Sequence, residues 1–474
     1  MNLKKILQDI SVQADYISLR HVSHKVINLQ VRNEKFEGIN RSDACGVMVE
    51  VLVDGQFSYA ATADTSLSGI QNAAQKALQL ANRAKQFSLT KFTTKERPPI
   101  KGEYISPYKH GCNEFDSKST CDLLIQLSQI MKFDEKIINR ETGFAITEIE
   151  TTFVSTNGAE AFQKLVKAGV TLSAVAANAN GSQRRSWGGY QAAQIGLEVI
   201  AIDELKKTAK RVAEEALDLL NAENCPTGKM DLILDPSQLF LQIHESIGHP
   251  LELDRILGDE RNYAGWSFVK PKDFGTLQYG SKLLNITFDP TVPGQNASYL
   301  FDDIGAEAKR EYLIKDGLLI RGLGSLESQK RLGINGVSNQ RATSWNRPPI
   351  DRMANINLEP GESTLDEMIA SVQNGVYMMM NRSWSIDDYR NKFQFGCEYG
   401  KLIKDGKIIK TIKNPNYRGQ TAPFWNNLKM VGNRADWQVG GTNNCGKGEP
   451  NQIIFVGHAA PHCLFSDIEV FGGG

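Results

Sequence analysis

The 474-residue sequence predicts a mixed α and β protein in two parts: a first half where strands and helices alternate, and a β-rich second half. Three observations lead there. The long apolar stripes at helical spacing fall almost entirely before residue 221. Asp-Gly pairs flanked by strand-forming residues recur in both halves. A Pro/Gly break, Cys225-Pro226-Thr227-Gly228-Lys229, separates the two textures. The length also exceeds what one hydrophobic core usually organises, so the division expected is 1–225 and 226–474.

The N-terminus carries Lys4 and Lys5 ahead of apolar residues, as a signal peptide does, but Asp9 and Gln13 interrupt the apolar run and Asp15 follows. An amphipathic helix is the better reading. Residues 49–59 (VEVLVDGQFSY) form a hairpin, because Asp54-Gly55 accepts the positive φ angles of a tight turn. A helix is expected over 66–87, where Ile70, Ala73, Ala74, Ala77, Leu78, Ala81 and Ala84 make one apolar stripe. Further helices are expected over 119–133 and 203–220, with strands around 151–155 and 170–176 between them. In the second half only 237–248 and 365–374 read as helices, and Asp-Gly hairpins lie at 312–320 and 402–409.

Composition narrows the function. Lys plus Arg and Asp plus Glu number 54 each, so the whole surface gives no electrostatic reason to bind nucleic acid or an anionic membrane. No run approaches the ~20 apolar residues of a membrane helix. The seven cysteines are odd in number, sparse and without a CxxC pair. That is no disulfide framework, and a reduced, cytoplasmic setting is expected.

The chemistry-bearing segment starts at residues 231–235 (DLILD), a short buried strand. Asp235 is a good helix N-cap and Pro236 suits the first helical position. Leu239, Phe240, Ile243 and Ile247 give the helix its apolar face, and it carries His244-Glu245-Ser246-Ile247-Gly248-His249. In HExxH the two histidines lie four residues apart, about 40° around the axis, and reach one metal. A spacing of five places them about 140° apart on a regular helix. Pro250 pushes the residue before it out of the α region, and Gly248 is permissive, so the helix is expected to end near Gly248 and let His249 swing back. Two imidazoles and a neighbouring carboxylate then suit zinc and the activation of water. The alternative is two ordinary histidines near a helix end. A third ligand has two sources: Cys445 in the glycine-rich stretch 440–448, or the group His458, His462 and Cys463. Spacing does not choose between them, and each cysteine can equally be a small buried hydrophobe.

The order of strand, HExxxH helix, long β-rich region and late Cys445-Gly446-Lys447 loop resembles the TldD/PmbA metallopeptidase family, in its catalytic TldD-type branch. Residues 46–55 with 60–64, 347–355 (RPPIDRMAN), 374–377 and 393–406 resemble further blocks of that family, so the resemblance covers nearly the whole chain. It implies an α+β fold, an N-terminal domain of helices on a sheet and a C-terminal domain of mainly antiparallel strands. It also implies a zinc held by His244, His249 and Cys445, with Glu245 as general base. Expected partners are peptides or unfolded proteins, entering an enclosed cavity of a homodimer or a heterodimer with a paralogue and adding a strand to a sheet edge. A thiolate ligand would make the zinc a softer Lewis acid than an all-histidine site. Residues 378–390 differ from the glycine-richer family version, which bears on substrate preference. For the oxyanion, no stabiliser is identified; Tyr377, Tyr389, Arg390 and His458 are candidates, but for each a structural role is the first expectation. The rival functions are a regulatory protein (the family includes described modulators of DNA gyrase or toxin–antitoxin systems) and a structural zinc site, which a fourth ligand would favour.

Overall fold

A computed structural model describes residues 1–473. The first half opens with α1 (Leu3–Asp9) and continues with β1 (Tyr16–Arg32), β2 (Lys35–Val53), β3 (Gln56–Thr62) and α2 (Leu67–Ala84). Next come β4 (Lys101–Ile105), α3 (Ser117–Met131), β5 (Ile137–Ser155), β6 (Glu160–Asn178), β7 (Gly181–Trp187) and α4 (Ile202–Asn221). The strands make one sheet in the order β3-β2-β1-β5-β6-β4, with β7 also paired to β6. All pairs are antiparallel except β4–β6. Two strands expected to be short, around 151–155 and 170–176, are each 19 residues long. Buried polar residues such as Arg140, Thr142 and Glu148, in line with Phe144 and Ile146, break the alternation that marks a half-buried strand.

Alternate residues of this sheet serve different neighbours. Leu19, Val49 and Val154 pack with α1 and α2, and Leu29, Phe144 and Val170 pack with α3 and α4. The opposite face meets the second half of the chain. There buried Arg20 pairs with Asp303 and donates to the carbonyls of Ser344 and Arg347, and Gln163 donates to the Phe301 carbonyl.

The second half contains β8 (Gly228–Leu234), α5 (Pro236–Ile243), β9 (Ile286–Phe288), β10 (Glu311–Lys315), β11 (Leu318–Leu319) and β12 (Asn355–Leu358). It continues with β13 (Asn374–Ile386), β14 (Lys392–Lys404), β15 (Lys407–Lys413), β16 (Pro415–Gln420), β17 (Leu428–Val431), β18 (Gln438–Lys447), β19 (Gln452–Ala460) and β20 (Cys463–Gly472). Its helices are more numerous than the two expected. Beside α5 and Leu365–Ser371 there are short ones at Leu253–Leu257, Arg261–Ala264, Leu326–Leu332 and Thr421–Asn426, too brief to show a period. One sheet runs β11-β10-β9-β12-β19-β18. In the other, β13, β8, β20, β16 and β14 pair in sequence and β14 pairs back to β13, so the hydrogen bonds close a ring of five strands. Leu232, Val376, Phe395, Tyr417 and Phe465 belong to the continuous core of this half.

The three Asp-Gly hairpins form as expected. Asp54, Asp316 and Asp405 and the glycines after them all have positive φ, the type I′ requirement. Among the described residues no helix is long and apolar enough to cross a membrane, and all seven cysteines are free thiols.

Candidate metal centre

Strand β8 delivers the chain to α5 through Asp235. Its carboxylate accepts from the Ser237 amide at 2.8 Å, and Pro236 takes the first helical position. Every residue of α5 is buried.

Beyond Ile243 the helix does not stop, contrary to the expectation of a break. His244–Gly248 form a π turn, in which the His249 amide donates to the His244 carbonyl. His249 itself stays in the α region at φ −58°, ψ −43°, despite the proline after it. The i→i+5 turn brings the fifth residue back over the first, so a spacing of five works here as four does on a regular helix. Pro250 still matters: it has no N–H to offer the Ser246 carbonyl, which accepts the Tyr279 hydroxyl at 2.5 Å instead. Gly248 leaves room for Met353, whose Sδ would have to move to admit a Cβ there.

The wider turn sets the two imidazoles edge to face with centroids 4.8 Å apart. Cys445, on β18, brings its sulfur to 3.7 Å from His249 Nε2. One ligand atom from each of His244, His249 and Cys445 lies within 4.8 Å of the others, and all three residues are buried. The strand is positioned from two sides. Arg352, in the RPPIDRMAN block, donates to the Cys445 carbonyl at 2.6 Å. Lys447, two residues on, is buried among Asp254 at 2.6 Å, Glu252 at 3.3 Å and the Asp351 carbonyl at 2.5 Å. A bulge between Thr442 and Cys445 sets the register that delivers the sulfur.

Each imidazole is held at its other nitrogen. His249 Nδ1 donates to Glu252 Oε2 at 3.0 Å, which leaves Nε2 toward Cys445. His244 Nδ1 lies 2.9 Å from His458 Nε2. Burial drives the pKa of His244 below its ordinary value, which keeps that ring neutral. For Cys445 burial acts upward, but Arg352 and His249 outweigh it and hold the thiol below its ordinary value, toward thiolate. Two imidazoles, with His244 biased toward its neutral form, and a thiol biased toward thiolate are a donor set that suits zinc, and no partner occupies their facing nitrogens except the Cys445 sulfur.

Glu245 sits beside the cluster and pairs with Arg390, Nη1 to Oε2 at 2.6 Å. Burial acts to raise its pKa, yet His249, His244 and Arg390 together hold it below the ordinary value, as a carboxylate. Arg390 reaches it from the tip between β13 and β14, where it adopts φ +61°. The amides of Trp266 and Phe268 fix that tip by donating to the carbonyls of Asp388 and Tyr389.

The other candidates separate. His462 is bonded to Asp436 and Asp235, and its Nε2 contacts the Tyr377 hydroxyl at 2.8 Å, so His462 and Tyr377 belong to a network at the N-cap of α5. Cys463 is buried, with burial pushing its thiol up. Tyr389 is exposed. Sequence reasoning missed Glu252, Arg352 and the enclosure of Lys447. Glu252, three residues after His249, is the one whose spacing could have revealed it.

Three family models match consecutive parts of the chain: PmbA/TldA metallopeptidase domain 1 over 18–81, the central domain over 112–220 and the C-terminal domain over 227–472. The chain belongs to the PmbA/TldA metallopeptidase family and is a metalloprotease. A metalloprotease of Methanothermobacter thermautotrophicus is 26% identical over 99% of this chain and 98% of its own length. A metalloprotease TldD homolog of Buchnera aphidicola is 26% identical over 97% and 93%. A zinc metalloprotease TldD homolog of Saccharolobus solfataricus is 22% identical over 58% of each chain. Among solved structures, a protein of Thermotoga maritima described as a modulator of a DNA gyrase superposes with TM-score 0.76 at 18% identity, covering 99% of this chain and 98% of its own. TldE from Thermococcus kodakarensis superposes with TM-score 0.72 at 13% identity, covering 99% and 100%.

Proposed function

We propose that this protein is a zinc-dependent peptidase in which His244, His249 and Cys445 hold the metal and Glu245 is the general base. The observation that carries the reading is the π turn, which turns a five-residue histidine spacing into a shared site with a thiol from nearly 200 residues away. A bound zinc supplies a Lewis acid for the scissile carbonyl and makes water acidic enough to use near neutral pH. Glu245, held ionised by its neighbours, takes the proton from the attacking water and hands it to the leaving amine. Arg390 orients that carboxylate and excludes a competing proton.

Flexible peptides are the substrate class that the surroundings favour. A groove of about 750 Å³ runs between the first sheet and β18; Asn443 and Asn444, just ahead of Cys445, line it. Its walls offer Asn28, Gln30, Gln191 and Asn296, whose amides can both donate to and accept from an extended backbone. The three candidate ligands do not line this groove, which reaches the centre's strand only at Asn443 and Asn444. A second copy or a paralogue would enclose the site by covering the exposed Tyr263, Trp384 and Tyr389. The free cysteines fit a reducing, cytoplasmic setting. The test is metal content together with cleavage of an unstructured peptide, for wild type and Glu245→Ala. The wild type should carry about one zinc per chain, and the variant should keep it while losing about 10²- to 10⁴-fold in rate. Cleavage undiminished in the variant would refute the assigned base.

A further inference from the structure

We propose that His458 is a positioning residue for the metal centre: a relay from the Ile356 carbonyl through His458 fixes His244 in the tautomer whose Nε2 is free of a proton. The inference rests on the metal site proposed above, but its geometry is independent of any bound ion. The Ile356 carbonyl can only accept, and it lies 3.0 Å from His458 Nδ1, so that nitrogen carries the ring's proton. A neutral imidazole then presents a lone pair at Nε2. That lone pair faces His244 Nδ1 at 2.9 Å, so His244 Nδ1 must donate. With its one proton spent there, His244 has Nε2 left as a bare lone pair, the form a metal needs.

His458 is 1% exposed, and a carbonyl and an imidazole are its hydrogen-bond partners among the described residues. A second proton on it would be a buried charge with no carboxylate bonded to it. The far end of the relay is fixed by the backbone: Ile356 on β12 and His458 on β19 are directly paired in parallel register. His458 also stands opposite Gly440 on β18, the strand that carries Cys445. Gly440 leaves room for α5 at that point, since a Cβ there would collide with the Phe240 ring and the Tyr190 carbonyl. One element pair thus brings in a thiol and orients an imidazole. The two histidines are therefore held by unlike partners. Glu252 fixes His249 with a charge, and His458 fixes His244 without one. A carboxylate in both places would add a second buried negative charge next to a thiolate; the neutral relay supplies the same orientation without it.

Two substitutions separate positioning from mere packing. His458→Gln keeps an acceptor for His244 and a donor for Ile356, whereas His458→Leu removes both. Zinc affinity of the purified full chain is read by competition with a chelator. In metal-free protein, the proton position on the His244 ring is read by ¹⁵N NMR of labelled histidine. The expected result is an affinity of the Gln variant close to wild type, a Leu variant about 10- to 100-fold weaker, and a His244 proton on Nδ1. A folded Leu variant that binds zinc as tightly as wild type would overturn the proposal. So would a Gln variant as weak as the Leu one, or a His244 proton on Nε2. The NMR measurement needs no metal and no variant, so it decides the relay even where the Leu variant does not fold. A wild type that binds no zinc would instead sink the metal centre, with the relay still judged by the tautomer.

Discussion

Glu245 is a fully buried carboxylate whose charge depends on its neighbours. Burial alone would raise its pKa, and Arg390 is one of four cations or potential cations, with His249, His244 and Arg255, that reverse the shift. Replacing Arg390 by Met removes the paired guanidinium and leaves the desolvation, so the Glu245 pKa must rise. A general base has to be ionised, so the acidic limb of the kcat/KM profile should move to higher pH, by about one unit or more. An unchanged acidic limb in Arg390→Met would mean that another group sets it. At this scale the sequence was legible where chemistry is local. His244, His249 and Cys445 could be named from it, and one ligand atom of each lies within 4.8 Å of the others. The partners of those residues were not legible. His458 and Arg390 appeared only as candidates for the oxyanion, and His458 also for a metal ligand, because their contacts span 214 and 145 residues of sequence, and nothing in a linear pattern encodes which buried side chain will face which.

The element that carries the site was read with its boundaries nearly right and its geometry wrong. The Asp235 cap, the Pro236 start and the apolar face all predicted α5. The expected helix break at Gly248 is instead a π turn, because the backbone keeps helical dihedrals while the hydrogen bond skips one residue further. Single-residue propensities describe where a helix ends, not how widely it turns. The same element has a second titratable device at its start. His462 lies between Asp436 and Asp235, and Asp235 is the α5 N-cap. Burial acts to lower the His462 pKa, but the two carboxylates win and raise it above 6.5. For Asp235 burial acts upward, and His462 with Ser237 brings the pKa below 3.8. A raised histidine contributes stability that is complete below pH 6.5 and fades as pH rises through the folded-state value. A depressed carboxylate contributes stability present above pH 3.8 and lost as pH falls through its folded value. The network is therefore strongest in the mildly acidic window between the two. Thermal unfolding of wild type against His462→Gln should show its largest gap near pH 5 to 6, narrowing toward pH 9. A gap that widens on the alkaline side would contradict this assignment.

On the scale of the molecule, the mixed α and β class was legible because helical stripes and Asp-Gly hairpins are local signals. The closed ring of five strands was not, since its closure depends on β13 finding β14 on one side and β8 on the other. That ring carries β8 to the start of α5, and the second sheet carries β18 and β19 to the end of the same helix. The candidate centre thus sits where the two sheets of the C-terminal half converge, with β18 also bridged to the first sheet through the contact of Asn443 with Lys167. Such a site makes a specific claim about ligands: one sulfur, from a strand, and two imidazoles, from one π turn. X-ray absorption at the zinc edge on the zinc-loaded protein and on Cys445→Ser measures this directly. The wild type should show one sulfur at about 2.3 Å with imidazole nitrogens at about 2.0–2.1 Å, and the sulfur should vanish in the variant. A zinc shell without sulfur in the wild type, or a sulfur that survives Cys445→Ser, would contradict the account.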